Sequence, residues 1–128
     1  MNKEKYYTPK IEEFHVGFEY QYKNKNKWLK TIFQDGRSVE YHEEQRVKYL
    51  DKEDIRDLGW LLMKEDKEID YYSFKKDKNE LIINFLDSYF GITVTIFYYI
   101  NNNTRYSFST PIKNKSELKK LMKQLNII

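Results

Sequence analysis

A strict alternation of side chains limits what this chain can fold into. Between residues 12 and 22, Phe14, Val16, Phe18, Tyr20 and Tyr22 fall on one side, and Glu13, His15, Gly17, Glu19 and Gln21 on the other. A period of two predicts a half-buried strand. The pattern returns at residues 92–100, where Ile92, Val94, Ile96, Tyr98 and Ile100 alternate with Thr93, Thr95, Phe97 and Tyr99. Apolar on one face and half aromatic on the other, that run reads as a central strand. Shorter strands are expected at residues 28–33, at 37–41 resuming as the same strand over 46–50 after an interruption near 42–44, and at 60–63, 69–74, 81–86 and 104–110. The turns between them fall at residues 23–27, at Asp35 followed by Gly36, and at residues 64–67, 75–79, 87–91 and 101–103. Pro111 closes the last strand because it has no N–H to give to a ladder.

The period changes twice. At residue 51, Asp51 and Asp54 stand three apart as reciprocal caps of a short helix over residues 51–58, and Leu50 and Ile55 hold the two positions of a hydrophobic staple. Gly59 supplies the left-handed residue after it, with Trp60 placed to fold back on Ile55. Its acidic residues are accounted for by capping and by the helix dipole. A second helix is expected over residues 115–126: Asn114 and Glu117 form a capping pair, and Leu118, Leu121, Met122 and Leu125 make one apolar stripe. That stripe has to cover a sheet. The fold class is therefore α+β, a mostly antiparallel sheet of about six to eight strands curled or folded on itself. The short helix lies at an edge and the C-terminal amphipathic helix on one face. No repeat or linker interrupts the 128 residues, so one domain over residues 1–128 is expected.

Composition sets the bounds on function. The chain has no cysteine and no alanine, against 19 lysines, 12 tyrosines and 8 phenylalanines, and its mean hydropathy is -0.87. A disulfide scaffold and thiol chemistry are excluded. The longest charge-free run, residues 88–104, is too short and too broken by threonine to make a spanning helix. The charged first ten residues lack the apolar core of a secretory signal, which predicts an intracellular protein. Net charge is +3, with basic ends around an acidic middle. Only Arg37, Arg46, Arg56 and Arg105 carry the guanidinium fork that grips phosphates and base edges, so the lysine excess is a poor nucleic-acid signal. Lys, Asn, Ile, Tyr and Phe have A/T-rich codons, and an A/T-rich genome produces this composition without selection for a ligand.

Motifs that carry chemistry are scarce. Each glycine stands alone, with no Gly-Lys-Ser/Thr behind it, and no serine sits in a nucleophile elbow. Two histidines without cysteine make a poor zinc set, and His42 beside Glu43 and Glu44 lacks the helical spacing of a metalloprotease. No catalytic residue, metal or cofactor is expected. The candidate binding residues are the polar row His15, Glu19 and Gln21, together with Trp28 and the loop lysines Lys23 and Lys25. A second reading takes Tyr20, Tyr22, Trp28, Tyr71, Tyr72, Tyr98 and Tyr99 near lysines as stacking platforms for single-stranded nucleic acid or a nucleotide. It requires Lys23, Lys25 and Lys27 to share a face with exposed rings. A third, enzymatic reading requires a pocket in which His15 or His42 meets a carboxylate.

Three segments together carry a resemblance: residues 13–20 (Glu-Phe-His-Val-Gly-Phe-Glu-Tyr), residues 46–60 with the order helix, Gly59, Trp60, and residues 112–118 leading into the last helix. They resemble short proteins without assigned activity encoded by phages of gut bacteria, notably crAss-like ones. The resemblance covers most of the chain and implies a phage or prophage origin. It brings no cofactor or catalytic residue. The resulting expectation is a small non-enzymatic interaction protein, in the bacterial host cytoplasm or the virion, that uses a sheet edge or an exposed aromatic patch. Its partner is expected to be a host or phage protein or a second copy of itself, and not a membrane.

Overall fold

The computed structural model describes residues 5–34, 44–85, 92–100 and 103–127. The expected hairpin turn at Asp35 and Gly36, the strand over 37–41, His42, the turn over 87–91 and the first two residues of the turn over 101–103 lie outside the described residues. Among those described, nine strands pair antiparallel in two sheets and are accompanied by two α-helices, as an α+β fold requires. The chain forms two compact units.

The first unit comprises the residues up to Tyr49 with Asn114–Ser116. Its sheet has the order β1-β4-β2-β3, with β1 at Tyr6–Tyr7, β2 at Glu19–Asn24, β3 at Lys27–Ile32 and β4 at Gln45–Lys48. Its small core is aromatic: Phe18, Tyr20 and Val47 are buried, and Tyr7, Phe14, Tyr22 and Phe33 pack on them. The Phe14 ring meets those of Phe18, Tyr20 and Phe33 edge-on at 5.0, 5.0 and 5.6 Å, the geometry that ring quadrupoles favour. Asn114 joins this unit from far along the chain, its amide donating to the Tyr7 hydroxyl at 2.8 Å.

The strand expected over residues 12–22 is half as long as its alternation suggests. Residues Ile11–Glu13 form a single 3₁₀ turn instead. Glu13 secures it: its carboxylate accepts from the Lys10 N–H and from the Tyr7 hydroxyl, each at 2.7 Å. A tight turn follows, in which the Phe18 N–H returns to the His15 carbonyl at 2.9 Å. Gly17 sits at φ +94°, a conformation open to glycine and strained for other residues. Val16, on the apolar side of the pattern, is consequently 77 % exposed. The alternation is genuine only from Phe18 onward.

The second unit comprises Leu50–Lys113 and the residues from Glu117. It opens with α1 at Lys52–Asp57. The expected capping box is present: the Asp54 N–H donates to Asp51 Oδ1 at 2.9 Å, and the Asp51 N–H to Asp54 Oδ2 at 3.3 Å. Gly59, at φ +96°, ends the helix, and the Trp60 N–H reaches back to the Ile55 carbonyl at 3.4 Å. Leu50, Ile55 and Trp60 then enter one core.

The five-stranded sheet is a simple meander: β5 at Leu61–Asp66, β6 at Tyr71–Lys76, β7 at Asn79–Asn84, β8 at Thr93–Ile100 and β9 at Thr104–Pro111. Residues 64–66, expected in a turn, continue β5 past a bulge between Leu62 and Lys64. The expected turn over 75–79 contracts to Asp77 and Lys78, with Asp77 at φ +54°. Phe74, Leu81, Ile83, Val94 and Ile96 line the inner face. Helix α2, Lys115–Gln124, contributes Leu118, Leu121 and Met122 to the same core, as its stripe predicts. The Trp60 indole N–H points at Met122 Sδ, 3.4 Å away. Lys119, Lys120 and Lys123 face solvent.

Candidate functional site

Antiparallel register gathers polar side chains on one face of the four-stranded sheet. Gln21 lies opposite both Arg46 and Lys30, Lys23 opposite Trp28, Glu19 opposite Ile32, and Tyr6 opposite Lys48. Because side chains alternate, these residues share one face, while Tyr20, Tyr22, Val47 and Tyr7 share the face that builds the core.

At the centre of the polar face lies Arg46. Its Cζ is 3.8 Å from the Tyr6 ring centroid and 4.1 Å from that of Trp28, and its Nε donates to Gln21 Oε1 at 2.6 Å. The guanidinium thus contacts two half-buried aromatic rings and a side-chain amide. At 3.9 Å and largely in solvent, the Lys23–Glu44 ion pair adds little; the firmer link there is the Lys23 N–H to the Glu44 carbonyl at 3.0 Å.

Of the residues singled out by sequence, Glu19, Gln21, Lys23 and Trp28 come together on this face. His15 and Lys25 do not. His15 lies in the turn before β2, its Nδ1 3.0 Å from the Glu13 carbonyl and its ring 5.6 Å from Phe18, so the row from His15 to Gln21 does not form. Lys25 and Asn26 make the hairpin tip with φ of 51° and 68°, which points Lys25 away from the ladder. Arg46 and Tyr6 were missing from the sequence-derived set. Arg46 meets Gln21 only through β2–β4 pairing, and Tyr6 lies on a two-residue strand with no periodicity to read.

A second surface belongs to the five-stranded sheet. Its β9 is an edge strand among the described residues and is exposed along nearly its whole length. On its inner-face side, Tyr106 and Phe108 remain 43 % and 44 % exposed, beside exposed Ile100 and half-buried Tyr98. The Tyr98 and Tyr106 rings stack at 5.9 Å. Edge strands commonly carry charge that discourages pairing. β3 has Lys27 and Lys30, and β5 has Lys64, Glu65 and Asp66. From Tyr106 to Pro111, β9 has none.

No group of three or more His, Asp or Glu side chains suited to a metal ion occurs among the described residues, nor does any helix there have the length and apolarity to cross a membrane. Comparison with protein-family models, curated proteins and solved structures gives no match to this chain.

Proposed function

We propose that this is a small non-enzymatic interaction protein of phage type whose working surface is the β9 edge, and that the strand occupying this edge is β9 of a second copy. The phage attribution rests on the three sequence segments alone. The interaction reading rests on one observation, an edge strand that carries no charge from Tyr106 to Pro111 and presents two half-exposed rings, whereas the other long edges among the described residues bear lysines or acids. Such a strand offers unpaired backbone groups for main-chain hydrogen bonds and side chains for specificity.

The β9 sequence is also self-complementary. In a two-fold antiparallel pairing centred on Ser107, Tyr106 of one copy faces Phe108 of the other, Arg105 faces Ser109, and Thr104 faces Thr110. No like charges oppose one another. Each aromatic pair contributes about 0.2–1 kcal/mol relative to a pair of alanines. Sedimentation velocity over a concentration series tests this. The wild-type chain forms dimers, and the Tyr106→Lys, Phe108→Lys variant stays monomeric with an unchanged circular dichroism spectrum. A wild-type chain that remains monomeric up to its solubility limit refutes self-association; a monomer that instead binds a heterologous protein through β9 keeps the interaction reading and replaces the partner.

A further inference from the structure

The outer face of the five-stranded sheet, opposite its core, holds a concavity that neither the polar face nor the β9 edge explains. Cross-strand register places Lys64 beside Ser73, Lys75 beside Glu80, Glu80 beside Phe97, and Tyr99 beside Arg105. At its floor Ser73 is only 6 % exposed, and its hydroxyl donates to Glu80 Oε1 at 3.3 Å. The other carboxylate oxygen accepts from Arg105 Nη2 at 3.2 Å, with the guanidinium 4.2 Å above the Phe97 ring. Both oxygens of the one acidic group are therefore occupied. Around them Lys64, Lys75 and Lys78 join Arg105 in lining a cavity of about 380 Å³, with Tyr99 at its side. Four of the lining side chains are basic and one is a carboxylate.

We propose that this concavity binds a nucleoside phosphate, its phosphate oxygens held by the Lys64, Lys75 and Lys78 ammonium groups and its base laid against the exposed Tyr99 ring. The reasons are charge and shape. Cations gathered around a concavity focus field on a multiply charged anion, and an aromatic side chain beside them supplies a stacking face that any base can use. Because Ser73 and Arg105 hold Glu80, its carboxylate is oriented and its repulsion of the anion is offset locally. No glycine-rich phosphate loop accompanies the site, and the role assigned to it is binding. The phosphate belongs either to a free nucleotide or to a single strand whose backbone crosses the sheet.

Fluorescence anisotropy at low salt distinguishes these sources, using a fluorescent adenosine nucleotide, a labelled single-stranded oligonucleotide, and inorganic polyphosphate as a base-free competitor. Binding of either labelled probe is expected, and the probe with the higher affinity identifies the source. Lys75→Ala combined with Lys78→Ala weakens it about tenfold or more and, for the oligonucleotide, lowers the salt slope by roughly 1.4, the effect of two lost phosphate contacts on a single strand. Tyr99→Ala weakens it roughly fivefold or more. These residues are exposed, and unchanged thermal midpoints verify that the variants fold. The proposal is overturned if neither probe binds, if the lysine variant binds as tightly as the parent, or if polyphosphate competes equally and Tyr99→Ala has no effect. Self-association through β9 is scored separately by sedimentation, so either reading can fail without the other.

Discussion

Replacing Arg46 tests the assembly of the four-stranded sheet's polar face. Two ring contacts at 3.8 and 4.1 Å on a half-exposed side chain contribute about 0.5–1 kcal/mol each. The hydrogen bond to Gln21 has a charged donor but remains open to competing water, which places it near the lower end of the roughly 1.5–3 kcal/mol range for such bonds. Arg46→Ala should therefore cost about 2.5–3.5 kcal/mol of first-unit stability. Arg46→Lys keeps the charge but loses the planar group that contacts both rings, and should cost about half as much. Trp28 and Trp60 fall in different units, so 5-fluorotryptophan labelling gives one fluorine NMR signal for each. Urea titration of the Trp28 signal should show a midpoint lowered by about 1.5 M in Arg46→Ala, for a slope near 2 kcal/mol per M. The folded-state Trp28 resonance should also shift. A midpoint within about 0.2 M of the parent and an unmoved resonance would refute the contribution assigned to this cluster.

Three further perturbations probe the second unit. Asp51→Ala removes the acceptor of the Asp54 N–H and should cost about 1 kcal/mol, recovered largely by Asp51→Ser, in thermal or urea unfolding followed by circular dichroism. Gly59→Ala places a side chain at φ +96° and onto the ammonium end of Lys76; since that lysine can swing away, backbone strain dominates, and a loss of about 1–2 kcal/mol is expected in the same assay. Burial, followed by the hydrogen bond to Asp70 and the charges of Asp70 and Glu65, raises the Tyr72 phenol above its ordinary value of 10.0. The unfolded chain therefore releases this proton first. The contribution is intact below the unfolded value and is lost as pH rises through the folded one. Tyr72→Phe should flatten the alkaline decline in unfolding midpoint measured across that window, and an unchanged decline would remove Tyr72 as its source.

Features encoded over short distances were legible in the sequence. The α1 caps are three residues apart, and their reciprocal hydrogen bonds form as the spacing implies. The α2 stripe, and the β8 alternation as far as Ile96, extend over enough residues for their burial to follow the pattern. The run from Phe14 to Tyr22 misled because the same period spans a turn at Gly17 and a strand after it. β5 ran on through Lys64, Glu65 and Asp66 because pairing with Ser73, Tyr72 and Tyr71 sustains it, which local charge does not reveal. Arg46 was hidden for a related reason: its neighbours Tyr6, Gln21 and Trp28 come from three other strands. The tyrosine excess also divides between roles, with Tyr20 and Tyr72 in cores and Tyr99 and Tyr106 left facing water.

The central claim concerns the β9 edge, and amide hydrogen exchange reads it directly when measured by NMR at low and high protein concentration. If β9 pairs with its counterpart, outward-facing amides between Arg105 and Ser109 exchange more slowly as concentration rises, while those of the edges β3 and β5 keep their rates. If the β9 amides exchange at the same fast rate at every concentration, the edge is unoccupied and the account of this protein as an edge-to-edge interaction module is wrong.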